Sequence, residues 1–267
     1  MTEKIISGNP QRVPAPSRDG LRSAEPSSAH APTTQAYYDR FSTAYEAERH
    51  RGYHRLIDEL ELDLVRRFGA GKDIFEAGCG TGLLLREAAA LARSAVGLDL
   101  SRGMLRPARD RGLRVVQGSL TDVPLPSASF DLVYSMKVLA HVPPIERAVA
   151  ELARLVRPGG HLLLEFYNPL SLRYLAKRLG GPGRIAADGT TEKDVFTRFD
   201  TLPRARGYLP AGVDLIAVRG VRVVTPSSHV FKLAPLARLF TWAERAACDL
   251  PLLRNLGGFM ILVAQKR

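Results

Sequence analysis

Between Asp73 and Asp99 the chain reads DIFEAGCGTGLLLREAAALARSAVGLD, a stretch that permits little choice of local structure. Ile74 and Phe75 open a short apolar strand that runs into Glu76. Gly78, Gly80 and Gly82 then form a turn where backbone approaches a ligand with no Cβ in the way. Leu83, Leu84, Leu85, Ala88, Leu91 and Ala92 give the next segment the apolar face of a helix. Val96, Gly97 and Leu98 make a second strand that closes on Asp99. In a strand–turn–helix–strand unit, a carboxylate at that point accepts hydrogen bonds from both hydroxyls of a ribose. The unit therefore points to a nucleoside-containing ligand.

The spacing narrows the nucleoside. A dinucleotide fingerprint, G-x-G-x-x-G, needs a third glycine at position 83, where this chain has Leu. No Lys-Ser/Thr follows the turn, which argues against a P-loop. Glu76, two residues before the first glycine, would repel a pyrophosphate but attract an ammonium group. With Glu76, Cys79 and the GLDL strand end in place, E-x-G-C-G-T-G closely resembles the class I S-adenosylmethionine-dependent methyltransferases, in particular their small-molecule (methyltransferase type 11-like) group.

The rest of the chain organises around this unit. Residues 1–33 hold five prolines and no periodicity and read as a disordered tail. Residues 34–69 read as N-terminal helices: Tyr37, Phe41 and Tyr45 recur every four residues, and Leu56, Ile57, Leu60, Leu64 and Phe68 form a second apolar face. Ser101 is placed to cap a helix carrying Met104 and Leu105. Further strands are expected at Leu113–Gln117, Phe130–Ser135 and His161–Phe166, the last after a helix ended by Arg157-Pro158-Gly159-Gly160. Later come a short helix from Leu170 to Leu179, strands at Val213–Val224 and Gly258–Ala264, and between those strands a helix with Leu236, Phe240, Ala243 and Ala247 on one face. Alternating strands and helices predict an α/β, doubly wound, mostly parallel sheet. The resemblance implies seven strands in a Rossmann-like methyltransferase fold, with 70–167 as the cofactor-binding half, 168–210 as a substrate lid inserted after strand 5, and 211–267 as the C-terminal strands and helix.

The resemblance also implies the site. It places S-adenosyl-L-methionine against Glu76, Gly78, Cys79, Gly80 and Gly82, then Asp99, Leu100 and Met104, then Ser119, Leu120 and Ser135. Tyr38-Asp39-Arg40-Phe41-Ser42 and Tyr45 match a family pattern in which an N-terminal helix folds over the cofactor, where tyrosine rings would meet a sulfonium. Ser119 stands where the family commonly has an acid against the adenine amino group, and Asp122 is the nearest substitute. Ser135-x-x-Val138-Leu139-x-His141-Val142 continues the resemblance.

The sulfonium methyl is already electrophilic, so the protein must hold a nucleophile in line with it and, for a hydroxyl or acidic carbon, supply a base. His141 is the candidate base; Lys137 and His229 are candidates for contact with the acceptor. No His, Cys, Asp or Glu cluster has metal-ligand spacing. Ser135-Met136-Lys137-Val138 lacks the Pro-Pro-aromatic stretch of enzymes that methylate base or amide nitrogens, which favours a small-molecule or lipid-precursor acceptor.

Charge keeps an alternative open. The net charge is +11, and residues 169–267 carry 16 Lys/Arg against 7 Asp/Glu, a net +9. That excess suits a small anionic or lipophilic acceptor at a charged surface, or a second reading as an RNA or protein methyltransferase. A third reading is a binding module that keeps the cofactor and methylates nothing. Scattered aromatics in the lid argue against specific nucleic-acid binding. Two cysteines suggest no disulfide framework, and no apolar run reaches membrane-spanning length or the core of a signal peptide, so the chain reads as a cytoplasmic protein.

Overall fold

The computed structural model describes residues 31–42, 45–46, 52–175, 196–225 and 228–267. The reading of 1–33 as a tail falls outside these residues except at its end, because helix α1 (Ala31–Phe41) begins within it. Tyr45 sits in a separate turn rather than on α1, since the helix stops at Phe41. Helix α2 (Gly52–Gly69) follows, with Leu56, Ile57, Leu60 and Leu64 buried as their spacing predicts.

Strand β1 (Asp73–Ala77) leads through the glycine turn to α3 (Leu83–Leu91), β2 (Ser94–Asp99) and α4 (Arg102–Asp110). The Ser101 hydroxyl accepts from the Met104 amide at 3.1 Å, the expected cap of α4. Then come β3 (Val115–Gln117), β4 (Phe130–Ser135), α5 (Ile145–Leu155) and β5 (Val156–Tyr167). The chain ends with α6 (Leu202–Gly207), β6 (Val213–Val221), α7 (Ala234–Ala247) and β7 (Phe259–Lys266).

The seven strands lie in the order β3-β2-β1-β4-β5-β7-β6. Only β7 runs antiparallel to its neighbours, so the sheet is mostly parallel as expected. Side chains alternate between two buried faces. Ile74, Leu132, Tyr134, Leu163 and Ile261 join α2 and α3 on one side, and Phe75, Val133, Leu162, Leu164 and Leu262 join α5 on the other. The strand order reverses between β1 and β4, and a crevice for ligands opens beyond their carboxyl ends.

Two elements differ from the sequence reading. Strand β5 begins at Val156, directly after α5, and the Pro-Gly-Gly segment is an irregularity within it: Val156 pairs with Phe130, but His161 pairs with Leu132. The sixth strand stops at Val221 because Arg222 takes φ +59°, which a continuing strand cannot accept. Of the helix expected at Leu170–Leu179, the described residues 172–175 form one helical turn, and 176–195 of the expected lid lie outside the described residues.

Candidate active site

The glycine turn is shaped by close approach. Gly78 has φ +81°, and a Cβ there would lie 2.3 Å from Val138 Cγ2. Gly80 has φ +53°, yet a Cβ on it would meet nothing within 4 Å, so its Cα faces the open crevice. The amides of Gly78 and Cys79 both donate to the Leu98 carbonyl, at 2.7 and 2.9 Å, which fastens the turn to β2. The Cys79 thiol is buried against Gly97, and burial pushes its pKa well up, so it is a packing group.

Asp99 closes the other side. Its Oδ2 accepts from the Gly80 amide at 2.8 Å and its Oδ1 from the Ser101 amide at 2.9 Å. Each carboxylate oxygen retains a second lone pair, so two hydroxyls on adjacent carbons could still be held there. Burial raises its pKa, and the backbone amides act against that rise.

A cleft beside the turn is lined by Glu76, Thr81, Leu84, Met136, Lys137 and Tyr45. The Tyr134 hydroxyl donates to Glu76 Oε2 at 2.9 Å across 58 residues of sequence. Burial outweighs that hydrogen bond, and the Glu76 carboxyl is pushed up to about 8. Thr81 Oγ1 is buried with no hydrogen-bond partner in the protein. Thr81 has no counterpart among the sequence candidates; its place at the fourth turn position was the available signal.

Lys137 takes φ +61° and turns its ammonium onto Asp58 and Glu61, each at 2.8 Å. It lines the cleft as expected, but its charge is already balanced by α2. Beneath it, Glu165 of β5 is buried against Glu61. Burial and the facing carboxyl raise the Glu165 pKa well above its usual value, so this carboxyl keeps its proton.

Helix α1 closes over the crevice through Asp39, whose Oδ1 accepts from the Ser101 hydroxyl and from the Gly103 amide at 2.9 Å. A Cβ on Gly103 would lie 2.9 Å from the Asp39 carbonyl, so the two helices meet where only glycine fits. This brings Tyr38 to the site, with its ring 6.2 Å from that of His141. Met104 and Leu120 are buried nearby, and Leu100 is half-buried. The Ser119 hydroxyl pairs with Thr121 at 2.8 Å, while Asp122 is exposed and bridges Ser119 through backbone. Ser135 is fully buried and donates to the Ala77 carbonyl at 2.9 Å, so its side chain joins β4 to β1 rather than facing the crevice.

His141 follows β4 on the crevice side. Its Nδ1 lies 2.9 Å from the Phe196 carbonyl, which can only accept, so Nδ1 carries the proton and Nε2 is the basic nitrogen. Nε2 has a long 3.5 Å contact with the Tyr167 hydroxyl, and burial pushes that phenol up to about 12. The segment from Phe196 to Asp200 returns here: the Arg198 amide donates to the Ala140 carbonyl and the Asp200 amide to that of Tyr167, both at 2.8 Å. His229 is exposed on a 3-10 turn, Ser228–Lys232. Among the described residues, no three His, Cys, Asp or Glu side chains group to hold a metal.

The doubly wound sheet, the glycine turn and the carboxylate ending β2 define a Rossmann-like methyltransferase fold. The methyltransferase domain family matches residues 75–164. The ubiquinone biosynthesis O-methyltransferase of Cupriavidus pinatubonensis is 33% identical over 174 residues, 62% of this chain and 69% of that protein. The malonyl-[acyl-carrier protein] O-methyltransferase of Serratia marcescens is 36% identical over 107 residues, 39% of this chain and 42% of that protein. A crystal structure of an S-adenosylmethionine-dependent methyltransferase from Thermotoga maritima superposes with a TM-score of 0.65, covering 87% of this chain and 99% of that one. At 21% identity it speaks to the fold alone. The chain belongs to the class I S-adenosylmethionine-dependent methyltransferases, and S-adenosylmethionine is its cofactor. The residues present fit that group: a buried carboxyl suits its ammonium, the unpaired Thr81 hydroxyl and the open Gly80 leave it a bed, and the free lone pairs of Asp99 suit its ribose.

Proposed function

We propose that this cytoplasmic enzyme methylates a hydroxyl, or a comparably acidic atom, of a small lipophilic or lipid-precursor molecule. S-adenosylmethionine supplies the electrophilic methyl group. Glu76 pairs with the cofactor's ammonium, Asp99 holds both ribose hydroxyls, and Gly78, Gly80 and Thr81 supply the backbone bed. Leu100, Met104 and Leu120 form the apolar surround of the adenine. Tyr38 and Tyr45 cover the reacting end and exclude water. Holding the nucleophile in line contributes on the order of 7–11 kcal/mol to the barrier reduction.

The observation that carries the reading is the state of His141. With Nδ1–H donated to the Phe196 carbonyl, the imidazole presents Nε2 as a base inside a ring formed by Tyr38 and Tyr167. An amine acceptor that is already nucleophilic needs no such base, whereas a phenol or hydroxyl does. The aromatic, apolar surroundings suit a planar lipophilic acceptor, and the O-methyltransferase relatives support the oxygen assignment.

Methyl transfer from labelled cofactor to a series of catechols and hydroxyquinones, with matched amines as controls, tests this reading. For His141→Asn we expect kcat on the phenolic acceptors to fall roughly 10²–10⁴-fold, the usual contribution of a positioned base. Cofactor affinity should not change. Turnover of amines alone, or a His141→Asn enzyme of unchanged kcat, would reject the assignment.

A further inference from the structure

The surface around α7 carries apolar side chains that the core does not use. Trp242 is 69% exposed, Leu239 55% and Leu252 83%, and Leu233, Leu236, Leu250 and Leu256 are exposed with them. At about 100° per residue, Leu236, Leu239 and Trp242 share an arc of roughly 120°, with Arg238 and Arg245 on the adjoining strip. The side of α7 that packs adjoins the Leu236 edge of this arc: Ala247 is buried, and Glu244 accepts from the amides of Val223, Val224 and Thr225.

The charges around this patch are sorted. The segment from Ser228 to Leu256 contains Lys232, Arg238, Arg245 and Arg254, with only two acids, Glu244 and Asp249. Glu244 is turned inward as described, and Asp249 is bonded through both oxygens by Arg219. Arg245 reaches Asp63 of α2 but stays half exposed. The outer face is therefore apolar and mainly cationic, and its one exposed carboxylate, Asp249, is already paired with Arg219.

Its position adds meaning. Val221, the last residue of β6, pairs with Phe259, which pairs with Tyr167 at the end of β5. The loop leading into β7 is tied to the residue after β5, because the Asn168 amide donates to the Asn255 and Gly257 carbonyls. The exposed leucines of that loop, together with Leu170, thus stand on the rim at the end of the sheet where the crevice opens.

We propose that α7 and the Leu250–Leu256 loop form a docking face for an anionic lipid bilayer. An interfacial helix with Trp and Leu on one face and Arg or Lys beside them buries its apolar side at the headgroup boundary, while its cations meet lipid phosphates. A second copy of this chain suits the face less well, because it would set cation against cation while the segment's one exposed carboxylate, Asp249, is already held by Arg219. The surface stands whatever the acceptor proves to be, and it would let a membrane-borne acceptor enter the crevice from the bilayer side.

Trp242 is the chain's one tryptophan, so its fluorescence reports the helix directly. The full chain would be titrated with vesicles of phosphatidylcholine alone, and with vesicles of equal parts phosphatidylcholine and phosphatidylglycerol. The emission should shift to the blue and the protein should co-float with the anionic vesicles, with binding weakened by salt. Leu239→Glu should reduce partitioning tenfold or more, and Arg238→Glu several-fold. Both variants should keep the parent's melting temperature and its turnover of water-soluble acceptors, which separates this surface from the active-site reading. No shift and no flotation would overturn the proposal. So would equal binding to neutral vesicles, or a blue shift that grows with protein concentration in the absence of lipid, the mark of self-association.

Discussion

Glu76 makes binding of the cofactor a proton-releasing event. Its carboxyl is buried in the apo protein and its pKa is pushed up to about 8, so at pH 7 it is about nine-tenths protonated. An ammonium beside it favours the carboxylate, and the complex should therefore expel about 0.9 proton at pH 7, about half at pH 8 and about 0.1 at pH 9. Ionising the group before pairing costs about 1.4 kcal/mol at pH 7, so affinity should rise nearly tenfold per pH unit below pH 8 and then level off. Stability of the apo protein runs the other way. A carboxyl whose folded pKa lies above its usual 4.5 binds its proton more tightly when folded. The unfolding free energy should then fall by about 1.4 kcal/mol per unit across the window from 4.5 to 8, at most about 5 kcal/mol from this group. Calorimetry at pH 7 in two buffers of different ionisation enthalpy reads the released proton, and urea melts between pH 5 and 8 read the stability slope. Glu76→Gln isolates the effect from the cofactor's own amine: the Glu76 share of the release and of the slope should vanish, and binding at pH 9 should weaken by roughly 1.5–3 kcal/mol. Tight binding with identical heats in both buffers would refute the reasoning, because the carboxyl would then already be ionised or would not meet the ligand.

Asp99→Ala should weaken cofactor binding by roughly 1.5–3 kcal/mol, and it should also lower the melting temperature, because the same carboxylate holds the Gly80 and Ser101 amides. Calorimetry and a melting curve read the two effects. Gly78→Ala should cost several times more stability than Gly80→Ala, since only the first drives a methyl into Val138; for Gly80→Ala we expect a loss of about 1 kcal/mol from its φ and a larger loss of cofactor affinity. Urea melts of the two variants decide between them. Glu165→Gln replaces a carboxyl that keeps its proton in the folded chain, so its stability relative to the parent should rise steadily as pH climbs above 4.5, where the unfolded parent releases that proton and the folded parent does not. Denaturant melts at pH 4 and 7 test this gain, and an unchanged difference between the two pH values would refute it.

Much of this protein is written in short windows of sequence. The unit from Asp73 to Asp99 specifies its own strand, turn and helix because apolar period, glycine placement and strand end all lie within reach of local backbone preference. Ser101 caps α4 for the same reason, and short apolar strands alternating with helices imply a sheet covered on both faces. The order β5-β7-β6 and the irregularity at Arg157–Gly160 depend on which strands pair, a matter of packing across the whole chain.

The chemical state of the site is likewise decided at long range. The Glu76 pKa comes from desolvation and from Tyr134, 58 residues away; the tautomer of His141 comes from a carbonyl 55 residues on; and the charge of Lys137 is balanced by an aspartate 79 residues back. Helix α7 shows the same division. Its apolar period is plain in the sequence, and Leu236 reads there as part of a core face, but the folded chain buries Ala247 and leaves Leu236 and Trp242 outside. A pattern of side chains defines the faces a helix can have; which face meets the core depends on neighbours that only the assembled sheet brings into place.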